Sequence, residues 1–383
     1  MLARTLTLTD LTLFGIASIM GSGGFNLIGT GVRSGGYMWP VALGIATVLL
    51  MGSAHSYAGA FERFKDNTSE SDMIQSIFGP IASHIGSGSI LLYNIASIIV
   101  ILTFCTKTIL PTSSWLCQVS LTIVMMGAMA GVAFLGIDVN KDIIGSMTGF
   151  LVAMLVVAAA IGVAGVFTQP IPRLGAPGGF MNSLWMFFFI LVGFDVNMKF
   201  AEETKDESDI PKSFYLTNGA SAILTLCIAA AIALWIPSLT ADTEHNAFPM
   251  LFARLFGSWI GEPLKWIVLA FILLTSFVVF LSTTRYLYGL GDNVPWLSPL
   301  REINAANAPW KAIAAVFGAG SVFALLNNVN LLVMITDVGF AVIAALVAGS
   351  VSIADWRDGR LGSAAINGAT GAGFLGLLAS AVI

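Results

Sequence analysis

Residues 14–25 read Phe14-Gly15-Ile16-Ala17-Ser18-Ile19-Met20-Gly21-Ser22-Gly23-Gly24-Phe25, an apolar stretch that ends in a cluster of glycines. Three of the four residues in Gly21–Gly24 are glycine. Because each glycine costs about 1 kcal/mol relative to alanine inside a helix, this stretch predicts a helix that is interrupted near Gly21. Close packing of two helices through small side chains is the alternative interpretation.

The composition indicates that lipid surrounds most of the chain. Of its 383 residues, 57% are hydrophobic and 10% are charged, and its mean hydropathy is +0.88. Soluble proteins carry about 25% charged residues, and a core of this size could not hide so much apolar surface. We therefore predict an all-α polytopic membrane protein. No basic tract is present, so we expect no nucleic-acid partner.

Apolar runs long enough to cross a bilayer recur along the chain. A hydrocarbon core of about 30 Å requires about 20 apolar residues per helix. We predict about eleven spans at residues 10–32, 37–61, 84–110, 119–136, 143–167, 180–203, 214–236, 262–290, 310–327, 330–355 and 361–383. Between the seventh and eighth spans, an amphipathic piece from Ala247 to Phe256 is predicted to lie along the membrane interface.

Lysine and arginine predict the orientation. With a cytoplasmic N-terminus, twelve of the seventeen basic residues fall on the inner side and five on the outer side. This bias agrees with the excess of basic residues in cytoplasmic loops. We expect an integral protein of the cell membrane whose N-terminus is cytoplasmic.

A second interruption is predicted in the sixth span, where Gly193-Phe194-Asp195 follows a run of bulky apolar residues. An ionisable residue inside a span is a functional candidate. Breaks five helices apart are typical of transporters built from two inverted five-helix repeats. We therefore predict one transmembrane domain over 1–383, with helices 1–5 at about 10–167, helices 6–10 at about 180–355, mid-membrane breaks in helices 1 and 6, and an extra helix at 361–383.

Such breaks match the two charges of an amino acid. Backbone amides at the start of a half-helix favour a carboxylate, while carbonyls at the end of the preceding half-helix favour an ammonium group or Na⁺. The broken first span therefore predicts a binding site for a zwitterion that needs no charged side chain.

Several motifs occur in an order that resembles the amino acid–polyamine–organocation (APC) superfamily of permeases. The motifs are Asp10-Leu11-Thr12 with Gly15-Ile16, Gly21-Ser22-Gly23 and Phe25; Ser56-Tyr57-Ala58 with Arg63-Phe64; Phe78-Gly79-Pro80; Gly193-Phe194-Asp195 with Ala201-Glu202-Glu203-Thr204-Lys205 and Asp209-Ile210-Pro211-Lys212; Thr284-Arg285-Tyr286-Leu287-Tyr288-Gly289-Leu290; and Ala308-Pro309. The resemblance covers residues from about 7 to about 355. Two departures are Gly24, where the family usually has a branched apolar residue, and about eleven spans where many members have twelve.

The resemblance implies a leucine-transporter-like fold and alternating access. It implies that backbone amides near Ser22–Gly24 bind the substrate carboxylate, that carbonyls of the first and sixth spans bind the amino group, and that Phe194 covers the site as a gate. The residues so predicted to bind substrate are Ile19, Gly21, Ser22, Gly23, Gly24, Phe189, Ile190, Val192 and Phe194.

Ion coupling has several candidates, and we expect no cofactor beyond Na⁺ or H⁺. Some proton-coupled relatives carry a lysine in the fifth span, but residues 143–167 contain no charge, which weakens that mechanism. Hydroxyls of Ser282, Thr283 and Thr284 could join first-span carbonyls around Na⁺, or they could bond carbonyls of their own helix. Asp195 could titrate, or it could cap or pair.

Three further features are singled out. Asp337 either lines the pathway and selects a cationic substrate, or caps a broken tenth helix. His55 is interpreted as a packed, hydrogen-bonded histidine rather than a proton relay. The mixed charges over 199–212 indicate a solvated cytoplasmic linker whose ion pairs latch an inner gate.

The function that the sequence favours is secondary transport of an amino acid or related small amine. A polyamine or organic-cation exchanger is the alternative, and a channel is a weaker one because no repeated filter loop is present. No H-E-x-x-H or G-x-S-x-G motif indicates an enzyme. The oligomeric state does not follow from the residues.

Overall fold

A computed structural model describes residues 2–21, 25, 27–168, 178–236, 239–240 and 247–382 of the chain. In this part of the protein the regular structure is helical, apart from one isolated β-bridge between Leu6 and Thr204. The α-helices are α1 (Leu8–Met20), α2 (Ile28–Gly35), α3 (Trp39–Phe64), α4 (Ser69–Phe78), α5 (Pro80–Ile109), α6 (Trp115–Ala133), α7 (Ile137–Thr168), α8 (Phe180–Leu191), α9 (Asp209–Trp235), α10 (Ala247–Phe256), α11 (Gly261–Asn293), α12 (Trp310–Ala324), α13 (Val329–Arg357) and α14 (Leu361–Val382).

Each of the eleven predicted spans contains a helix. Among the described residues, nine stretches are long and apolar enough to cross a membrane. The first and ninth spans are shorter, since α1 has 13 residues and α12 has 15. The predicted polytopic all-α class is confirmed.

Local sequence explains where the first helix begins. The Thr7 hydroxyl accepts a hydrogen bond from the Asp10 amide at 3.4 Å, and the Asp10 carboxylate accepts one from the Thr7 amide at 2.9 Å. This reciprocal capping box satisfies two amides that would otherwise lack partners at the helix N-terminus. It fixes the start of α1 at Leu8.

The sixth span is interrupted, as predicted. α8 ends at Leu191, and Val192 is extended with φ −73° and ψ 140°. Gly193 follows with φ +134°, a conformation that residues with a side chain rarely adopt. A 3₁₀ segment then runs from Phe194 to Glu203. The break therefore depends on glycine at position 193.

The described residues of the first span include two separate helices, which agrees with the predicted interruption. α1 ends at Met20 and α2 begins at Ile28. Ser22, Gly23 and Gly24, to which we assigned the carboxylate site, lie outside the described residues.

The amphipathic piece predicted at the interface forms α10 with the expected bounds. One face of α10 is buried, and the Phe248 ring lies 4.7 Å from the Phe25 ring in an edge-to-face contact. α10 therefore packs onto the chain between α1 and α2 instead of facing only the membrane interface.

Candidate functional site

The two interrupted spans meet at Gly193. A Cβ atom added to Gly193 would lie 2.7 Å from the Ser18 hydroxyl and 3.3 Å from Cγ1 of Ile19. Only a residue without a side chain allows α1 and the break after α8 to come this close. The break after α8 thus packs against the last turn of α1.

A small cavity of about 30 Å³ lies at this junction and is referred to below as the small cavity. Its lining residues come from α1, α5, α8, α11, α13 and the break itself: Ser18, Tyr93, Asn94, Ser97, Phe189, Val192, Gly193, Asp195, Val196, Val279 and Thr336. Three of its buried polar atoms have no hydrogen-bond partner in the described protein, namely the Ser18 hydroxyl, Asn94 Nδ2 and Asp195 Oδ1. Because buried polar groups are normally satisfied, this cavity is suited to a polar ligand or an ion.

Asp195 is the charged residue of the small cavity. Its residue is 2% exposed, and the Tyr93 hydroxyl donates a hydrogen bond to Oδ2. The other carboxylate oxygen remains unpaired. Sequence reasoning marked Asp195 but missed Tyr93, whose only signal was a polar group inside the apolar third span.

A second, wide cavity of about 650 Å³ adjoins the first. Its walls are mostly apolar, and its lining residues are Leu27, Thr30, Val100, Ile101, Phe104, Lys107, Thr108, Trp185, Met186, Phe189, Ile272, Val329, Val333, Met334, Asp337 and Val338. Phe189 lines both cavities. Phe189 therefore contacts both cavities.

Buried ion pairs close the opposite end of the bundle, which carries the chain's N-terminus and is called the N-terminal side. Arg285 on α11 and Glu203 are both fully buried, with Nε–Oε2 at 3.2 Å and Nη2–Oε1 at 3.1 Å. Lys199 forms a second fully buried pair with Glu70 of α4. These contacts join α4, α11 and the 3₁₀ segment after α8.

The residues before α1 reinforce this closure. The amides of Thr5 and Leu6 donate to the Glu203 carbonyl at 2.9 and 3.0 Å, and the Lys205 amide donates to the Leu6 carbonyl at 2.9 Å. Residues 199–201, 203 and 204 are buried and Glu202 is partly exposed, so the solvated linker that we predicted for this region is wrong at its start. Tertiary packing buries Lys199 and Glu203 because each finds a partner of opposite charge.

The predicted substrate-binding residues have different surroundings. Phe189 and Val192 line the small cavity, and Ile19 packs against Gly193 beside it. Ile190 is buried and lines neither cavity.

Phe194 also lines neither cavity. It lies in a cluster of aromatic rings with Tyr57, Phe214 and Phe340, at centroid distances of 5.4, 5.8 and 6.4 Å. The predicted role of Phe194 as a gate stays a prediction.

Gly21 contacts α11 closely. A Cβ atom there would lie 1.6 Å from the Thr275 hydroxyl and 2.6 Å from the Phe271 carbonyl. Gly21 thus serves the packing role that was the alternative interpretation. The same Thr275 hydroxyl donates to the Ala17 carbonyl at 2.6 Å.

The hydroxyls predicted to bind Na⁺ are engaged inside their own helix. Ser282 and Thr283 donate to the Val279 carbonyl at 2.9 and 2.7 Å, and Thr284 donates to the Leu281 carbonyl at 2.7 Å. The hydroxyl of α11 that contacts a first-span carbonyl belongs to Thr275, two turns earlier. Sequence reasoning missed Thr275 because serine and threonine occur along much of the eighth span.

His55 and Asp337 are the two remaining candidates. His55 is hydrogen-bonded at both ring nitrogens, to the Tyr215 hydroxyl at 2.9 Å and the Ser363 hydroxyl at 2.8 Å, which agrees with a packed histidine. Asp337 lies within α13, which is continuous from Val329 to Arg357. The interpretation of Asp337 as the cap of a broken tenth helix is therefore wrong.

Comparison with known proteins gives one informative similarity. No model of a known protein family matches the chain. The branched-chain amino acid permease BcaP of Bacillus subtilis (strain 168) is 28% identical over 273 residues, which cover 64% of this chain and 58% of that protein. The match thus spans little more than half of the relative's length. The chain is a polytopic helical membrane protein that is similar in sequence to an amino acid permease.

Proposed function

We propose that the protein is a secondary transporter of amino acids or related small amines that works by alternating access. The observation that carries this proposal is the meeting of the two interrupted spans, with Gly193 against Ser18 at a small cavity that holds unpaired polar atoms. Broken helices at a shared cavity are how many secondary transporters bind substrate and ions near the membrane midplane. The similarity to an amino acid permease supports the same substrate class.

The asymmetry of the structure supports alternating access. A wide cavity adjoins Phe189 on one side of the breaks, while buried ion pairs close the N-terminal side. With the N-terminus cytoplasmic, as the basic residues favour, the wide cavity faces outward. A channel would need both sides open at once, and the buried Arg285–Glu203 pair argues against that reading.

We also propose that Asp195 couples transport to H⁺. Its carboxylate lies at the junction of the breaks, has one unpaired oxygen and accepts a hydrogen bond from Tyr93. An ionisable group in such a position is a candidate for proton transfer. The hydroxyls of Ser282, Thr283 and Thr284 donate to carbonyls within α11. Their oxygens keep lone pairs for a cation, so the predicted Na⁺ site stays a second candidate.

Uptake of radiolabelled amino acids into proteoliposomes tests the proposed function. Gly193→Ala should abolish uptake, because the added Cβ meets Ser18 and alanine rarely adopts a φ of +134°. Gly145→Ala is the matched control, since nothing lies within 4 Å of its added Cβ. Monodisperse protein with a single cooperative melting transition would show that both variants fold. Normal uptake by folded Gly193→Ala, or no uptake of any amino acid by the native protein, would contradict the proposal.

A further inference from the structure

Asp337 is a carboxylate inside the membrane-spanning part of the protein that has no partner among the described residues. It lies on α13, about 12 Å along the helix axis from Val329 at a rise of about 1.5 Å per residue. The residue is 8% exposed, and in the described protein its carboxylate has no hydrogen bond and no cation within 4.0 Å. It lines the wide cavity.

An unpaired buried carboxylate is costly, because burial removes its hydration without supplying an opposite charge. Ionisable residues in membrane spans are accordingly rare, and they face cavities where they pair or serve function. Since α13 is unbroken, Asp337 does not cap a helix terminus. We therefore expect the partner of the Asp337 carboxylate to be a ligand in the wide cavity.

The walls around Asp337 suit an aliphatic chain. Val100, Ile101 and Ile272 are among the apolar residues of the wide cavity. The other charged residue of the lining, Lys107, belongs to the last turn of α5. The cavity of about 650 Å³ falls in the range of about 300–1,000 Å³ that is usual for small-molecule sites.

Asp337 is also next to the junction of the breaks. Its neighbour Thr336 lines the small cavity, while Asp337 lines the wide one. Asp337 thus faces the wide cavity one residue along the chain from the lining of the small cavity.

We propose that Asp337 binds the side-chain ammonium group of a substrate that occupies the wide cavity. The substrate class is an amino acid with a straight aliphatic side chain that ends in a primary ammonium group. This inference rests on the proposed transport of amino acids, and it differs from the substrate in the printed name of the relative. The methylene groups contact the apolar walls, and the ammonium group supplies the charge that the carboxylate lacks.

Binding of L-lysine and L-norleucine to the purified full-length protein tests this assignment, because the two differ only by the terminal ammonium group. Binding is measured by isothermal titration calorimetry, with L-leucine as the branched-chain reference. Since hydrogen bonds between charged groups are among the strongest that proteins make, the native protein should bind L-lysine at least about tenfold more tightly than L-norleucine. Asp337→Asn should bind both equally, and Asp337→Glu should retain a preference for L-lysine. Asp138→Asn, at an exposed carboxylate paired with Lys141, is the matched control and should behave as the native protein.

The assignment is overturned if the native protein binds L-norleucine or L-leucine as tightly as L-lysine, or if Asp337→Asn keeps the preference for L-lysine. Equal weakening of both ligands by Asp337→Asn would place the residue at the α-ammonium group and also overturn it. Should Asp337→Asn fail to fold, the native comparison and Asp337→Glu still decide the outcome. Transport of L-leucine without binding of L-lysine would refute this inference alone, whereas absence of any amino acid transport would refute the proposed function as well.

Discussion

Replacing Glu203 by glutamine tests whether the buried pair with Arg285 holds the N-terminal side closed. Glutamine keeps the size of the side chain and removes its charge. Both residues are fully buried and joined by two hydrogen bonds of 3.1 and 3.2 Å. The variant therefore leaves the Arg285 guanidinium buried without a countercharge.

The expected effect is large. Removing one partner of a buried pair costs about 3–5 kcal/mol, because the remaining charge is uncompensated. If the pair forms only in the closed conformation, 3 kcal/mol shifts the equilibrium toward the open conformation by about 150-fold. Alternating conformations commonly differ by a few kcal/mol, so Glu203→Gln should make the open conformation a major species.

Labelling of a cysteine in the small cavity measures this shift. Ser18→Cys is introduced into a background in which the three native cysteines are replaced by alanine, and a membrane-impermeant thiol reagent is added from the N-terminal side. Glu203→Gln should raise the labelling rate at least about tenfold, a lower bound on the shift expected from the lost pair. Asp209→Asn is the control, since the Lys212–Asp209 pair is partly exposed and such pairs contribute at most about 1 kcal/mol. An unchanged labelling rate and melting temperature in Glu203→Gln would refute the gate assignment.

Three further outcomes are expected. Asp195→Asn should lose uptake driven by an imposed proton gradient while retaining exchange of substrate between the two sides, and gradient-driven uptake by this variant would exclude Asp195 as the coupling group. Gly21→Ala should lower the melting temperature by several degrees, because its Cβ meets Thr275 and the α11 backbone, whereas Gly145→Ala should not; equal melting temperatures would contradict the close packing. Desolvation by burial, followed by the charge of Asp66, raises the pKa of Asp72 on α4 to about 6. Because the folded state then binds the proton more tightly than the unfolded state, stability should rise as pH falls from about 7 to 4, and Asp72→Asn should flatten that part of a melting profile; an unchanged slope would refute it.

The site could be predicted only in part. A break in the backbone depends on residues that are adjacent in the sequence, whereas the neighbours of a side chain come from distant parts of the chain. Gly193 signals its own break, since no other residue tolerates its conformation well. Tyr93 and Thr275 gave no comparable signal. The Tyr93 hydroxyl reaches Asp195 only because of where α5 packs, and the Thr275 hydroxyl reaches the Ala17 carbonyl only because of where α11 packs. The surroundings of Phe194 have the same cause, since a 3₁₀ segment follows Gly193 and places that ring in an aromatic cluster.

The sequence by itself determined the environment and the chain path: apolar runs of membrane length predict the helices, and Gly21 and Gly193 follow closely on the ends of α1 and α8. These properties depend on residues close together in the chain, so composition and spacing reveal them. Only the tertiary structure decided which charges are paired. Lys199 and Glu203, which were predicted to lie in a solvated linker, are buried in ion pairs with Glu70 and Arg285. Asp337 lines a cavity and has no partner among the described residues. Burying a charge is unfavourable unless a group of opposite charge lies next to it. That partner comes from a residue far away in the chain, so only the tertiary structure reveals it.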